Sequence, residues 1–219
     1  MIRRSLVCIA VLGLLVTSAA ADAAVITYTD RATWAAAAGG VSGGENFSGF
    51  VADTEFRSVD VALSSGMSIG AIVDDGFSNL IDVAPLGGET NVDGTPVAAV
   101  FNGQQGVPTT PFVNFSTPVY AFGADFKNLN DDIARTAIEL YSGAVLVDTL
   151  APAIAASGAV RFFGFVSDTA ITQIRFTRLE NDVFGMDNIE IQTSVPEPAS
   201  LLLFGAALGV GAIRLRRKA

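Results

Sequence analysis

Ile171-Thr172-Gln173-Ile174-Arg175-Phe176-Thr177 and Met186-Asp187-Asn188-Ile189-Glu190-Ile191-Gln192 each read as a strand with one dry and one wet face. In the first, Ile174 and Phe176 fall on one side and Gln173, Arg175 and Thr177 on the other. In the second, Ile189 and Ile191 alternate with Asn188, Glu190 and Gln192. Successive side chains of a strand point to opposite faces, whereas an amphipathic helix needs apolar residues three and four apart. Both stretches therefore predict strands lying over a core.

The same signature recurs on the N-terminal side. Thr136–Tyr141 and Ala144–Leu150 flank Ser142-Gly143, which reads as a two-residue hairpin connection, and Val160–Val166 follows. Earlier candidates are Val25–Thr29, Phe56–Leu63, Ser68–Val73, Val97–Phe101, Phe112–Phe115 and Val119–Phe126. One short helix interrupts the series. Asp30 is its N-cap, Arg31 to Ala38 its body, and Gly39-Gly40 its C-cap. Many half-wet strands with almost no helix predict an all-β fold, an antiparallel two-sheet β-sandwich of jelly-roll type with one short N-terminal helix.

Composition marks off the two ends. Half of the 219 residues are hydrophobic, yet the excess sits in two terminal blocks, each bordered by arginines. Residues 25–195 hold 7 basic and 20 acidic residues, a net charge of −13. Such a domain repels phosphate backbones, so nucleic acid is not an expected partner. The chain has no histidine, and its single cysteine, Cys8, lies in the first apolar block. A Ser-His-Asp triad, a cysteine nucleophile, histidine ligation and disulfides are thereby excluded from the middle of the chain. Most of the apolar stretch follows Cys8 instead of preceding it, which argues against a lipoprotein anchor.

Residues 1–24 read as a secretory signal peptide. Arg3 and Arg4 supply the basic start, Leu6 to Val16 the apolar core, and Ala21-Asp22-Ala23 an A-x-A cleavage site, with the cut expected near Ala23 or Ala24. At the other end, Val195-Pro196-Glu197-Pro198 precedes an uncharged run from Ala199 to Ile213, closed by Arg214, Arg216, Arg217 and Lys218. As a helix of ~1.5 Å per residue that run is ~22 Å long, enough for a thinned bilayer with snorkelling basic flanks. The basic cluster predicts a cytoplasmic stop, leaving the domain outside. The expected organisation is a signal peptide at 1–24, a secreted β domain at 25–194, and a tail with a transmembrane helix at 195–219.

The tail resembles the PEP-CTERM sorting signal of Gram-negative bacteria. The resemblance implies export, an inner-membrane-anchored precursor, and handover to an exosortase that acts near Pro196-Glu197-Pro198, with delivery to the cell surface or beyond. It also implies an association with exopolysaccharide-producing species. The middle resembles a recurring domain of PEP-CTERM proteins. The matching stretches are Tyr28 to Trp34, Glu45-Asn46-Phe47, Ala121 to Phe126, Phe163 to Asp168, Ile174-Arg175-Phe176 and Phe184 to Ile189. Relatives often carry an acidic residue after the phenylalanine that corresponds to Phe47, where this chain has Ser48.

Few constellations carry chemistry. Asn128, Asn130, Asp132 and Glu139 have the spacing of an EF-hand loop, but Ile133 stands where the turn requires glycine. Asp187 with Asn188 has two readings: a plain Asx turn into the last strand, or a structural calcium ligand with Glu45 as partner. Asn46-Phe47-Ser48 and Asn114-Phe115-Ser116 fit the glycosylation pattern, which carries no weight in a bacterium. Trp34, on the helix, is expected to pack and not to serve as a sugar platform. The leading expectation is a non-enzymatic surface or matrix protein associated with exopolysaccharide. The alternatives are a carbohydrate-binding module and a carboxylate-based glycan hydrolase, for which no carboxylate pair stands out.

Overall fold

The computed structural model describes residues 24–195, apart from residues 58, 73–78, 86–87, 89, 103–108, 132–134, 154–157 and 180–181. The predicted signal peptide up to residue 23, Asp132 and Ile133 of the EF-hand spacing, and the predicted membrane helix lie outside the described residues. Among the described residues no helix is long and apolar enough to cross a membrane.

The chain opens with strand β1 (Val25–Tyr28) and helix α1 (Arg31–Ala38). Asp30 caps the helix as predicted, its Oδ1 accepting from Thr33 N at 2.8 Å, and Gly39 ends it in the left-handed region at φ 75°. Short strands β2 (Gly43–Glu45), β3 (Thr54–Glu55) and β4 (Val61–Ala62) lead to β5 (Met67–Ile72), β6 (Leu80–Asp82) and β7 (Val97–Phe101). The long strand β8 (Thr110–Lys127), the hairpin β9 (Thr136–Ser142) and β10 (Val145–Leu150), the long strand β11 (Val160–Arg178) and β12 (Val183–Gln192) complete the domain.

All pairings are antiparallel and join the twelve strands into one hydrogen-bonded network, ordered β10-β9-β11-β8-β12-β7-β6-β3 along its main path. The antiparallel all-β class with one short helix is thus as predicted. The hydrogen bonding does not divide into the two expected sheets, because β8 and β11 run through both regions. The first half of β11 pairs with β1 and its second half with β9; the first half of β8 pairs with β5 and its second half with β12. Between the halves the register shifts, after Val166 in β11 and opposite exposed Ser116-Thr117-Pro118 in β8. Pro118 has no N–H to give a ladder, and the bend falls there.

That bend folds the ribbon over. Phe126 and Phe112 are 14 residues apart on β8, which is ~45 Å in a straight strand. Phe112 pairs with Arg175, the neighbour of Phe176, yet the rings of Phe126 and Phe176 meet at 6.2 Å. Phe184 joins them at 6.0 and 5.3 Å, and Phe122, Phe165, Ile138, Leu140, Ile174, Ile189 and Ile191 extend the same buried cluster. Ile174 and Phe176 are buried while Gln173, Arg175 and Thr177 are half-exposed, as the alternation predicted.

Helix α1 covers the opposite face of β8 and β11. Trp34, fully buried, packs with Ala38, Ala121 and Phe162, and its Nε1 donates to Phe165 O at 3.0 Å. The indole fits because Gly123 and Gly164 lie beneath it: a Cβ on Gly123 would stand 3.1 Å from Trp34 Cε2, and one on Gly164 2.9 Å from its Cδ1.

Several expected boundaries shift. The single strand expected over Phe56–Leu63 is not formed; β3 and β4 lie at its edges, and buried Phe56 anchors the loop between them. The turn between β9 and β10 is Gly143-Ala144, one residue on from the expected Ser142-Gly143, because Gly143 takes the positive φ of 60° that the turn needs.

Candidate functional site

The polar groups most closely gathered lie where α1, β8 and β12 meet. Arg31 is the first residue after the Asp30 cap and projects from the first turn of α1 toward β12. Its guanidinium reaches Asp125 of β8 at 3.0 Å and Glu190 of β12 at 2.7 Å, and donates to Asn188 O at 3.2 Å. Its carbon lies 4.7 Å from the centre of the Phe162 ring. Asn188 sits at φ 50°, inside the register shift between β12 and β8, and turns its Nδ2 to Asp125 Oδ2 at 3.2 Å and Asp93 Oδ2 at 3.5 Å.

Asp187 stands behind this layer with no exposed surface. Asn188 N donates to its Oδ1 at 2.6 Å, and Thr95 Oγ1 lies 3.1 Å from its Oδ2 and 2.5 Å from Asp93 Oδ1. Burial pushes the Asp187 carboxyl up to about 6, with Asp93 and Asp125 adding like charge. Hydrogen bonds from Thr95 hold Asp93 below the ordinary carboxylate range. One hydroxyl proton cannot serve two carboxylates. With Asp187 protonated, its O–H donates to Thr95 Oγ1 and the threonine proton goes to Asp93, so all three groups are satisfied.

Glu45, the other carboxylate read as a calcium partner, is placed separately. Phe47 N donates to its Oε1 at 2.6 Å, while Ser64 N and Oγ donate to its Oε2 at 2.7 and 2.5 Å. It lines a polar cleft of about 330 Å³ together with Ser64, Asn188 and Glu190, and Asp187 does not reach that cleft. Glu45 and Asp187 share no hydrogen-bond partner. Among the described residues no group of three or more His, Cys, Asp or Glu side chains is placed to hold a metal.

A second buried polar set lies at the ends of β7, β8 and β9. Asp182, 2% exposed, accepts from Thr136 Oγ1 at 2.7 Å and Asn130 N at 3.2 Å. Its own N–H donates to Asn102 Oδ1 at 2.7 Å, and Asn102 Nδ2 contacts Thr136 Oγ1. Asn130 accepts from Thr136 N and donates to Pro152 O, at 2.5 and 2.8 Å. Burial raises the Asp182 carboxyl above its ordinary value. Beside this set lies a groove of about 550 Å³ with mostly apolar walls, among them Phe126, Leu129, Pro152 and Val160.

Sequence reading singled out Asp187, Asn188 and Glu45 but not Arg31, Asp125 or Glu190. Arg31 carried a signal all the same: a basic residue in the first turn opposes the helix dipole, so it needs carboxylates close by. Asn102, Thr136 and Asp182 are scattered along the chain and gave none. Of the sorting residues, Val195 is described and exposed, whereas Pro196, Glu197, Pro198, Arg214, Arg216, Arg217 and Lys218 lie outside the described residues. Among curated proteins none matches this chain. Residues 194–218 match the family model of the PEP-CTERM protein-sorting motif, and the chain accordingly carries the signal of an exported protein directed to an exosortase.

Proposed function

We propose that this chain delivers a rigid, non-enzymatic β domain to the cell surface or the matrix around it. The tail holds the precursor at the inner membrane until an exosortase cuts near Pro196-Glu197-Pro198. The match over residues 194–218 carries the sorting half of this reading. What supports the non-enzymatic half is the state of the polar groups. Asp187, whose carboxyl is pushed up to about 6, has no exposed surface and lines neither the polar cleft nor the apolar groove. Glu45 and Glu190 share a cleft, but three donors occupy Glu45 and Arg31 occupies Glu190.

The partner that fits the domain is a neutral glycan. A net charge of −13 over residues 25–195 repels acidic polysaccharide as it repels nucleic acid. Mature protein recovered from an exosortase-producing strain lacks Leu201–Ala219 by mass spectrometry, and protein from an exosortase-deficient strain keeps it. A complete tail in the producing strain refutes the processing. In pull-downs, neutral exopolysaccharide retains the protein and uronate-rich polymer does not. Retention by neither polymer leaves sorting intact and removes the glycan.

A further inference from the structure

We propose that the signal peptide is cut between Ala23 and Ala24, and that the α-ammonium created there pairs with Asp168 and pins β1 to the bend of β11. The inference rests on the reading of the chain as exported and adds to it a cleavage bond and a receiving group.

The sequence leaves several cuts open. A signal-peptide cut wants small residues one and three positions before it. Cuts after Ala20, Ala21 and Ala23 all meet that condition, whereas a cut after Ala24 places Asp22 at the third position. The structure distinguishes among them. Ala24 forms the last rung of the β1·β11 ladder: Asp168 N donates to Ala24 O at 3.2 Å, next to the paired residues Val25 and Ser167. In return Ala24 N points at the Asp168 side chain, 3.0 Å from Oδ1. Thr169 Oγ1 donates to the same oxygen at 3.2 Å, and Thr169 N to Ser167 Oγ at 3.0 Å, which fixes the bend around the carboxylate.

Hydrolysis of the Ala23–Ala24 bond changes what that nitrogen is. Water adds to the Ala23 carbonyl, the C–N bond breaks, Ala23 leaves as a carboxylate, and the Ala24 nitrogen takes up protons to become an ammonium. A one-donor amide 3.0 Å from a carboxylate becomes a three-donor cation at the same place. A domain with 7 basic against 20 acidic residues gains a positive charge at an acidic surface. A cut after Ala24 would remove both the acceptor for Asp168 N and the donor to its carboxylate. Cuts after Ala20 or Ala21 would keep both hydrogen bonds of the rung but retain the negative charge of Asp22 and create the new cation two or more residues away from Ala24. Of these cuts, only the one after Ala23 both keeps the rung and sets the new cation against Asp168.

The test uses the full chain expressed in a host with an active secretion pathway. N-terminal sequencing and intact mass of the exported protein show Ala24 as the first residue. Asp22 or Val25 first overturns the inference and leaves export standing; a chain still beginning at Met1 overturns both. The ion pair is read separately from the pKa of the α-amine, followed by NMR after isotopic dimethylation. Lys127 is the only other amine in residues 24–195. The α-amine titrates above the ~7.7–8.0 of a free terminus, and Asp168→Asn lowers it by about half a unit. Equal values in the two proteins, with Ala24 first in both, eliminate the pairing.

Discussion

Asp187 and Asp182 are both buried carboxyls held above their ordinary range, yet they are stabilised in different ways. Asp182 sits among neutral donors and acceptors contributed by Asn102, Asn130 and Thr136, with Asp131 as its charged neighbour. Asp187 sits behind a charged layer in which Arg31 faces Asp125 and Glu190, and Thr95 links it to Asp93. The first set is a lattice of uncharged hydrogen bonds joining chain segments that are distant in sequence. The second places negative charge around a single cation. Removing a member of the first strands buried donors; removing a member of the second mostly changes how charge is balanced.

The largest effect expected from this contrast is at Asp182. Asp182→Ala leaves Thr136 Oγ1 and Asn130 N without their acceptor, at about 1–3 kcal/mol for each buried donor, so a loss of roughly 2–5 kcal/mol in urea denaturation is expected. The loss is the same in 1 M salt as in dilute buffer, because neutral donors are not screened. Arg31→Met comes next. It removes two partly exposed ion pairs and the contact with Phe162, together about 1–2 kcal/mol, and most of the ion-pair share disappears in 1 M salt. A salt-insensitive Arg31→Met, or a salt-sensitive Asp182→Ala, would collapse the distinction.

A third effect has the opposite sign. Because the folded-state pKa of Asp187, about 6, lies above the ordinary carboxyl value of 3.8, the folded chain holds the proton more tightly than the unfolded one. The carboxyl therefore costs nothing below pH 3.8, and its penalty grows as pH rises to about 6 and is constant above. Asp187→Asn is expected to raise stability by up to ~3 kcal/mol at pH 7, with the gain fading to zero near pH 4. Thermal unfolding at the two pH values checks it. The same pair of proteins in calcium and in chelator separates the two sequence readings of Asp187. An Asx turn leaves both midpoints where they are; a ligand gives a calcium-dependent rise in the wild type that the variant lacks.

Much of the fold was legible because the informative segments are amphipathic. The helix, with Asp30 as cap and Gly39 as stop, and β7 span the residues expected, and the core faces of β11 and β12 follow their alternation, except that Gln192, expected on the wet face, is buried. Length was misread where alternation broke. Ser116-Thr117-Pro118 and Ser167 to Ala170 look like gaps between strands, but the backbone runs through them and only bends. β2, β3 and β6 have two or three residues each, too few to show a period. At the candidate site the sequence found Asp187 as a turn residue leading into the last strand, whereas it lies inside β12. Its hydrogen-bond partner Thr95 comes from the loop before β7, Asp125 and Arg31 of the charged layer come from β8 and α1, and the register shift in β12 turns Asn188 toward Asp93 and Asp125. Asn102 and Thr136 escaped notice for the same reason: each stands at the edge of an apolar run far from Asp182 in sequence, and their juxtaposition with it is a property of the folded ribbon.

The indole over Gly123 and Gly164 has an optical consequence. Trp34 is the only tryptophan among 15 phenylalanines and three tyrosines, it is fully buried, and its N–H is held by Phe165 O. Ultraviolet emission from this protein therefore comes mainly from one point, the interlayer between α1 and the β8/β11 ribbon. A red shift that precedes loss of the strand circular dichroism signal would mean that the helix peels away while the folded ribbon remains. Coincident changes would mean that the lid and the ribbon melt as a single unit.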